Sequence, residues 1–186
     1  MDAQLSAMMP AGVPPIALFR TFVRNMPMTR AMHPWGAYEL GRALSLSLRD
    51  REIVIDRTCA RCHCEYEWGV HVAFFAERAG LDQRQIASLT AGSADDACWT
   101  EERDRLLIRA VDALHDDSDI PDGLWRALSA VFSEASLVDL LVLTGWYHAI
   151  SFAARALRVP REDWAPTFAS VAAAAGAQGF RRPKRK

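Results

Sequence analysis

The chain has 186 residues, enough for one domain or two small ones and for a core that needs no disulfide staples. Apolar residues make up 51% and charged residues 24%, which excludes a disordered chain, and a net charge of -1 argues against a protein that wraps nucleic acid. The neutrality is an average: residues 181–186 read Arg-Arg-Pro-Lys-Arg-Lys, and without them the body holds 17 bases against 23 acids.

Alanine and arginine dominate, both favour helix, and only 10 Gly and 9 Pro interrupt them, so an all-α fold is expected. Residues 1–14 read as a loose leader without the basic and apolar regions of a secretory signal, and a cytoplasmic location is the default. A first helix is predicted from Pro15 to Asn25, ended by Pro27, and a second from Pro34 to Ser47. Residues 50–61 follow helical spacing with Asp50 as a cap, and a kink or short loop is expected near Arg61 to His63. A well-marked helix follows from about Cys64 to Ala79, with Gly80 at its left-handed end. Asp82 caps a short helix to Leu89, and residues 91–97 form a loop. Thr100 caps a helix with the apolar stripe Leu106, Leu107, Ala110, Val111 and Leu114, and Pro121 opens another to Phe132.

Ser133 caps the last long helix, Glu134 to Leu157. It is broken by Asp139 and His148, so no membrane span is expected. An alanine-rich helix from Phe168 to Ala177 and a solvated basic tail complete the chain. An echo between His71-x-x-x-Phe75 and His148-x-x-x-Phe152 is within chance for a chain this rich in alanine and arginine.

Chemistry concentrates between Glu52 and Gly80. On one helix, Cys64, Glu67 and His71 stand at i, i+3 and i+7, so a thiol, a carboxylate and an imidazole share one stripe, continued by Phe75. Cys64 would sit at the helix N-terminus, where the dipole favours a thiolate, and His71 could exchange a proton with it or with a substrate. Glu67 or Glu52 could orient the imidazole, Glu52 only if the chain turns back near residues 61–63. Cys59, Cys62, Cys64, His63 and His71 could also be weighed as zinc ligands, but the single residue between Cys62 and Cys64 suits a zinc set poorly, and no metal or cofactor is expected. Cys98 reads as a core or loop thiol, and His148, Trp146 and Tyr147 as core packing that could line the same cavity.

The segment resembles the carboxymuconolactone decarboxylase and alkylhydroperoxidase D-like family. The peroxidase branch carries a Glu, then twelve residues later Cys-x-x-Cys, then a His four residues after the second Cys. Glu52, Cys64 and His71 match that spacing, while Glu67 occupies the resolving-Cys position. Glu-Tyr-Glu-Trp-Gly-Val-His at 65–71 looks like the decarboxylase-like branch, and residues 79–86 and Gly-Trp-Tyr-His at 145–148 also fit, a resemblance over roughly residues 35–157. It implies a single-domain all-α helical bundle of the alkylhydroperoxidase D-like type that forms a homo-oligomer, commonly a trimer or hexamer, with sites near subunit contacts. Residues 1–33 would then be an N-terminal segment with one helix, 34–160 the family's helical domain, and 161–186 a C-terminal helix and tail.

Two chemistries follow from the resemblance. Acid–base work on a small carboxylate or lactone would use His71 with Glu52, Glu67 and Cys64, and Arg57, Arg61 or Arg78 could hold the carboxylate. Thiol-dependent peroxide reduction would use Cys64, with Cys59 or Cys62 replacing the missing resolving thiol. A member that only binds a ligand or partner is the alternative of another class. The expected partners are a small-molecule substrate and further copies of the chain, not nucleic acid or membrane.

Overall fold

The computed structural model describes residues 14–179, which are helical with no strand among them. The leader (residues 1–13) and the basic tail (residues 180–186) lie outside the described residues. In chain order the helices are α1 (Ala17–Phe22), α2 (Met26–Glu39), α3 (Leu48–Arg61), α4 (Glu65–Phe75), α5 (Gln83–Ala91), α6 (Glu102–Asp117), α7 (Asp122–Val131), α8 (Glu134–Ala156) and α9 (Phe168–Gly179). A short 3-10 turn, Val23–Asn25, joins α1 to α2.

Helix α3 is the axis of the fold, packed by α4, α5, α6 and α8. Every residue from Asp50 to Ala60 is buried, charged ones included. Amphipathic spacing predicts one wet face here, but neighbours on all sides cover it, and its charges are met by partners instead. Arg57 forms a two-pronged pair with Asp112, Asp50 takes Arg103, and Arg51 takes Glu52 at 2.6 Å. Ser47 rather than Asp50 is the N-cap, and Asp50 completes a capping box three residues on. Ile53, Val54 and Ile55 meet Leu107 and Ile108 of α6 and Leu140 and Leu143 of α8 in the central core.

Two of the expected boundaries are corrected at the N-terminal end. Pro27 does not stop a helix; it stands in the first turn of α2, where its missing N–H costs nothing, and Asn25 accepts from the Met28 N–H as the cap. Pro34 lies inside α2 rather than at a helix start, and residues 40–47 are turns and bends, not helix. Glu101, without a side-chain cap bond, takes the place expected of Thr100. The remaining helices fall close to their expected places.

The turn between α3 and α4 folds one helix back on the other, and His63 absorbs it with φ +53°. Regular α4 ends at Phe75, and its last turn closes on Gly80 (φ +67°), with Gly80 N–H donating to Glu77 O and Leu81 N–H to Ala76 O. The chain after α8 returns over α4 so closely that a Cβ on Gly69 would stand 2.6 Å from Pro166 O.

By length and composition α8 could cross a bilayer, Asp139 and His148 notwithstanding, a test that the core helix of a folded domain also meets. Half of its most apolar stretch is buried in the fold against α3 and α4, and Asp139 accepts from Tyr38 and Ser45.

Candidate active site

The reversal at residues 61–63 lays α4 beside α3 and brings Glu52 to His71. The Glu52 carboxylate is fully buried, Oε1 accepting from Arg51 and Oε2 standing 2.8 Å from His71 Nδ1. The other imidazole nitrogen, Nε2, lies 3.0 Å from the Tyr147 hydroxyl of α8 and 3.6 Å from Glu67 Oε1, one turn earlier on α4. Phe75 and Tyr147 rings flank the imidazole at 5.3 and 5.0 Å.

Burial by itself would drive the proton off His71. The charge and hydrogen bond of Glu52, with Glu67 behind them, prevail, and its pKa is pushed up to about 10. His71 is therefore an imidazolium at neutral pH. With both ring nitrogens protonated, Nδ1–H donates to Glu52 and Nε2–H to the Tyr147 oxygen, leaving the phenolic O–H to donate elsewhere. Burial, and the charges of Glu67 and Glu52, hold Tyr147 far above the usual phenol range, so it keeps that proton. Asp56, one turn beyond Glu52, is fully buried with neither oxygen partnered; burial and the Glu52 charge raise its pKa well above the carboxylate range, and it is neutral.

The cluster ends in a cavity of about 370 Å³ between α1, α2, α4 and α8. Its walls are Leu18, Phe22, Met32, Phe74, Trp146 and Ile150 among others, and His71, Glu67 and Tyr147 form its polar end. Glu67 Oε2 is buried without a partner inside the fold. Exposed His33 stands on the opposite wall from α2. Such a chamber suits a compact, mostly apolar molecule with one acidic or carbonyl group.

Of the residues singled out from sequence, His71, Glu52 and Glu67 converge. Cys64 is fully buried at the N-cap of α4 and does not line the cavity. The expected thiolate is corrected: burial pushes the Cys64 thiol up, more than the Glu67 backbone N–H draws it down. Burial raises Cys59 and Cys62 as well, and the Ser151 hydroxyl faces all three thiols. We expect a thiol-specific chromogenic reagent to label Cys98 promptly and the other three only after unfolding in guanidinium; immediate reaction of three or four thiols would contradict this burial.

None of the arginines expected to hold a carboxylate reaches the cavity. Arg57 is committed to Asp112, Arg61 to Asp116, and Arg78 lies over the Phe75 ring. Of the three residues expected to pack in the core or line the cavity, Trp146 and Tyr147 line it and His148 does not, while Arg51 joins the site without having been assigned a role from sequence. Tyr147 lies 76 positions from its partner, and its only signal was the Gly-Trp-Tyr-His segment.

Residues 30–113 match the family model described as Carboxymuconolactone decarboxylase family. No curated protein and no solved structure matches the chain. The matched segment holds α3, the reversal and α4, and with them Glu52, Glu67 and His71. Over residues 30–113 the chain is therefore similar to the carboxymuconolactone decarboxylase family.

Proposed function

We propose that the chain is an enzyme that acts on a small carboxylate or lactone by acid–base chemistry, with His71 as the acid. The observation that carries this reading is a protonated imidazole at the polar end of an otherwise apolar cavity. A substrate carbonyl or carboxylate would accept from the Tyr147 O–H or from His71. When the bond to the departing carboxylate breaks, CO2 leaves and its electron pair remains as an enolate. His71 delivers a proton to the enolate carbon and regains one from water, while Glu52 keeps the ring oriented. Glu67 borders the same space and acts as a second proton carrier. Cys64 supports the pocket from behind.

The thiol-peroxidase reading has less support, since Cys64 is buried and its thiol pKa is raised. The test is a screen of small lactone carboxylates by thermal shift and by turnover, on wild type and His71→Gln. Turnover lost in His71→Gln with the fold intact supports the enzyme. Stabilising ligands without turnover in either protein would make the chain a binding member of the family.

We further propose that the chain is a homo-oligomer, a trimer or hexamer. Helix α8 leaves a stripe of small and apolar residues in water: Val138, Val142, Gly145, Ala149 and Phe152. Size-exclusion with light scattering is expected to give a multiple of 20.7 kDa, and Phe152→Asp to shift it downward. A monomeric wild type would sink the proposal. Free thiols at all four cysteines suit the reducing cytoplasm, where we place the chain.

A further inference from the structure

A second group of reactive side chains gathers away from the His71 cavity. Cys62 at the end of α3, His115 on α6 and His148 on α8 offer one sulfur and two nitrogens, all within 4.8 Å of one another. His115 Nδ1 and His148 Nε2 are 2.9 Å apart. We propose that Cys62, His115 and His148 form a transition-metal site that takes Zn²⁺, with water as the fourth ligand.

The orientation of His148 is the main support. Its Nδ1 lies 2.8 Å from the Thr144 carbonyl oxygen, which can only accept, so the proton is on Nδ1. Nε2 is then a bare lone pair pointing into the group. A ring N–H held by a backbone carbonyl, with the opposite nitrogen free, is how metal-binding histidines are commonly fixed. The three ligands are also held in place by their surroundings. Arg57 and Arg61 tie α3 to Asp112 and Asp116, which bracket His115 on α6. Arg155 donates to the Cys62 carbonyl at 3.0 Å and ties α8 to the same point.

Tetrahedral zinc bonds to nitrogen and sulfur imply ligand atoms about 3.3–3.6 Å apart. The group reaches that by side-chain movements on the order of 1 Å. His115 Nδ1 faces the His148 Nε2 lone pair at 2.9 Å. Without metal its Nδ1–H donates to His148 Nε2. On binding, that proton moves to His115 Nε2 through solvent and the Cys62 thiol loses its own, so one proton leaves per Zn²⁺. His115 also lines a pocket of about 280 Å³ with His63 and Arg61, through which solvent reaches the group. A sulfur and two imidazoles suit zinc, and Co²⁺ can report on the same ligands.

The test uses the full chain, stripped with a chelator and dialysed free of it. Zn²⁺ titrated against a chromophoric competitor is expected to bind one equivalent more tightly than about 1 μM. Co²⁺ is expected to give a sulfur-to-metal charge-transfer band in the near ultraviolet. Cys62→Ser should abolish that band, and His115→Gln or His148→Gln should weaken Zn²⁺ by at least about 100-fold, since outer-shell partners alone are worth 10–100-fold. Cys98→Ser should change neither, and circular dichroism verifies that each variant is folded. Substoichiometric or weaker binding to wild type, or a charge-transfer band that persists in folded Cys62→Ser, would overturn the site.

Discussion

Replacing Glu52 by alanine is expected to cost about 3–5 kcal/mol of folding stability, because it leaves buried cations without their counter-charge. Glu52 has no exposed surface and serves two of them, Arg51 at 2.6 Å and His71 at 2.8 Å. His71 can relieve part of the cost by giving up its proton. Arg51 cannot, and among the described residues its head group keeps the Leu40 carbonyl and the Phe75 ring. The urea midpoint measures the loss. Arg109, on an exposed pair with Asp95, is the contrast: its alanine variant should lose no more than about 1 kcal/mol. A Glu52→Ala protein as stable as that control would mean that the buried network is not the scaffold of the site.

Turnover in the His71→Gln protein is expected to fall about 10²–10⁴-fold, the usual worth of a positioned proton donor. The pH profile separates an acid from a base. The His71 pKa is pushed up to about 10, so the donor is loaded through neutral pH and activity should stay level there, then fall as pH rises through about 10. A base at this position would do the reverse, silent at neutral pH and gaining as the proton leaves. The same proton links to stability. The imidazolium favours the fold fully below the unfolded histidine pKa of about 6.5, and that contribution is lost as pH rises towards 10. Asp56 acts in the same direction, since its folded pKa is raised and the buried acid resists ionisation as pH climbs. A rate that increases between neutral pH and 10 would remove His71 from the acid's role.

Much of this architecture could be read along the chain because it is local. Ser133, Asp82 and Gly80 mark helix ends through bonds to residues a few positions away, and the structure places them there. The Glu52–His71 pairing was readable from a spacing of 19 residues plus the expected turn. What could not be read depends on distant chain. That α3 is enclosed on every side is decided by α6 and α8, so a sequence rich in Arg, Asp and Glu gave no sign that these side chains are buried. The fate of Cys64 turned on the same point, because a helix N-terminus lowers a thiol pKa only where burial does not outweigh it, and here burial does. Proline at positions 27 and 34 misled because the residue fits a first turn, or is carried by tertiary packing inside α2, as readily as it ends a helix.

The cavity joins two kinds of inheritance. Two groups of its polar end, Glu67 and His71, lie within the stretch that matches the family, with Met32, Phe74 and Phe75 of its wall, whereas Leu18, Phe19 and Phe22 before it and Trp146, Tyr147 and Ile150 after it lie outside. Part of the wall, and the Tyr147 partner of His71, are thus encoded in other lengths of chain than the imidazole. Substitution at Leu18, Phe22 or Ile150 can reshape the wall without removing a hydrogen-bond partner of His71. The match over residues 30–113 therefore speaks to the Glu52, Glu67 and His71 cluster far more than to the shape of the whole cavity.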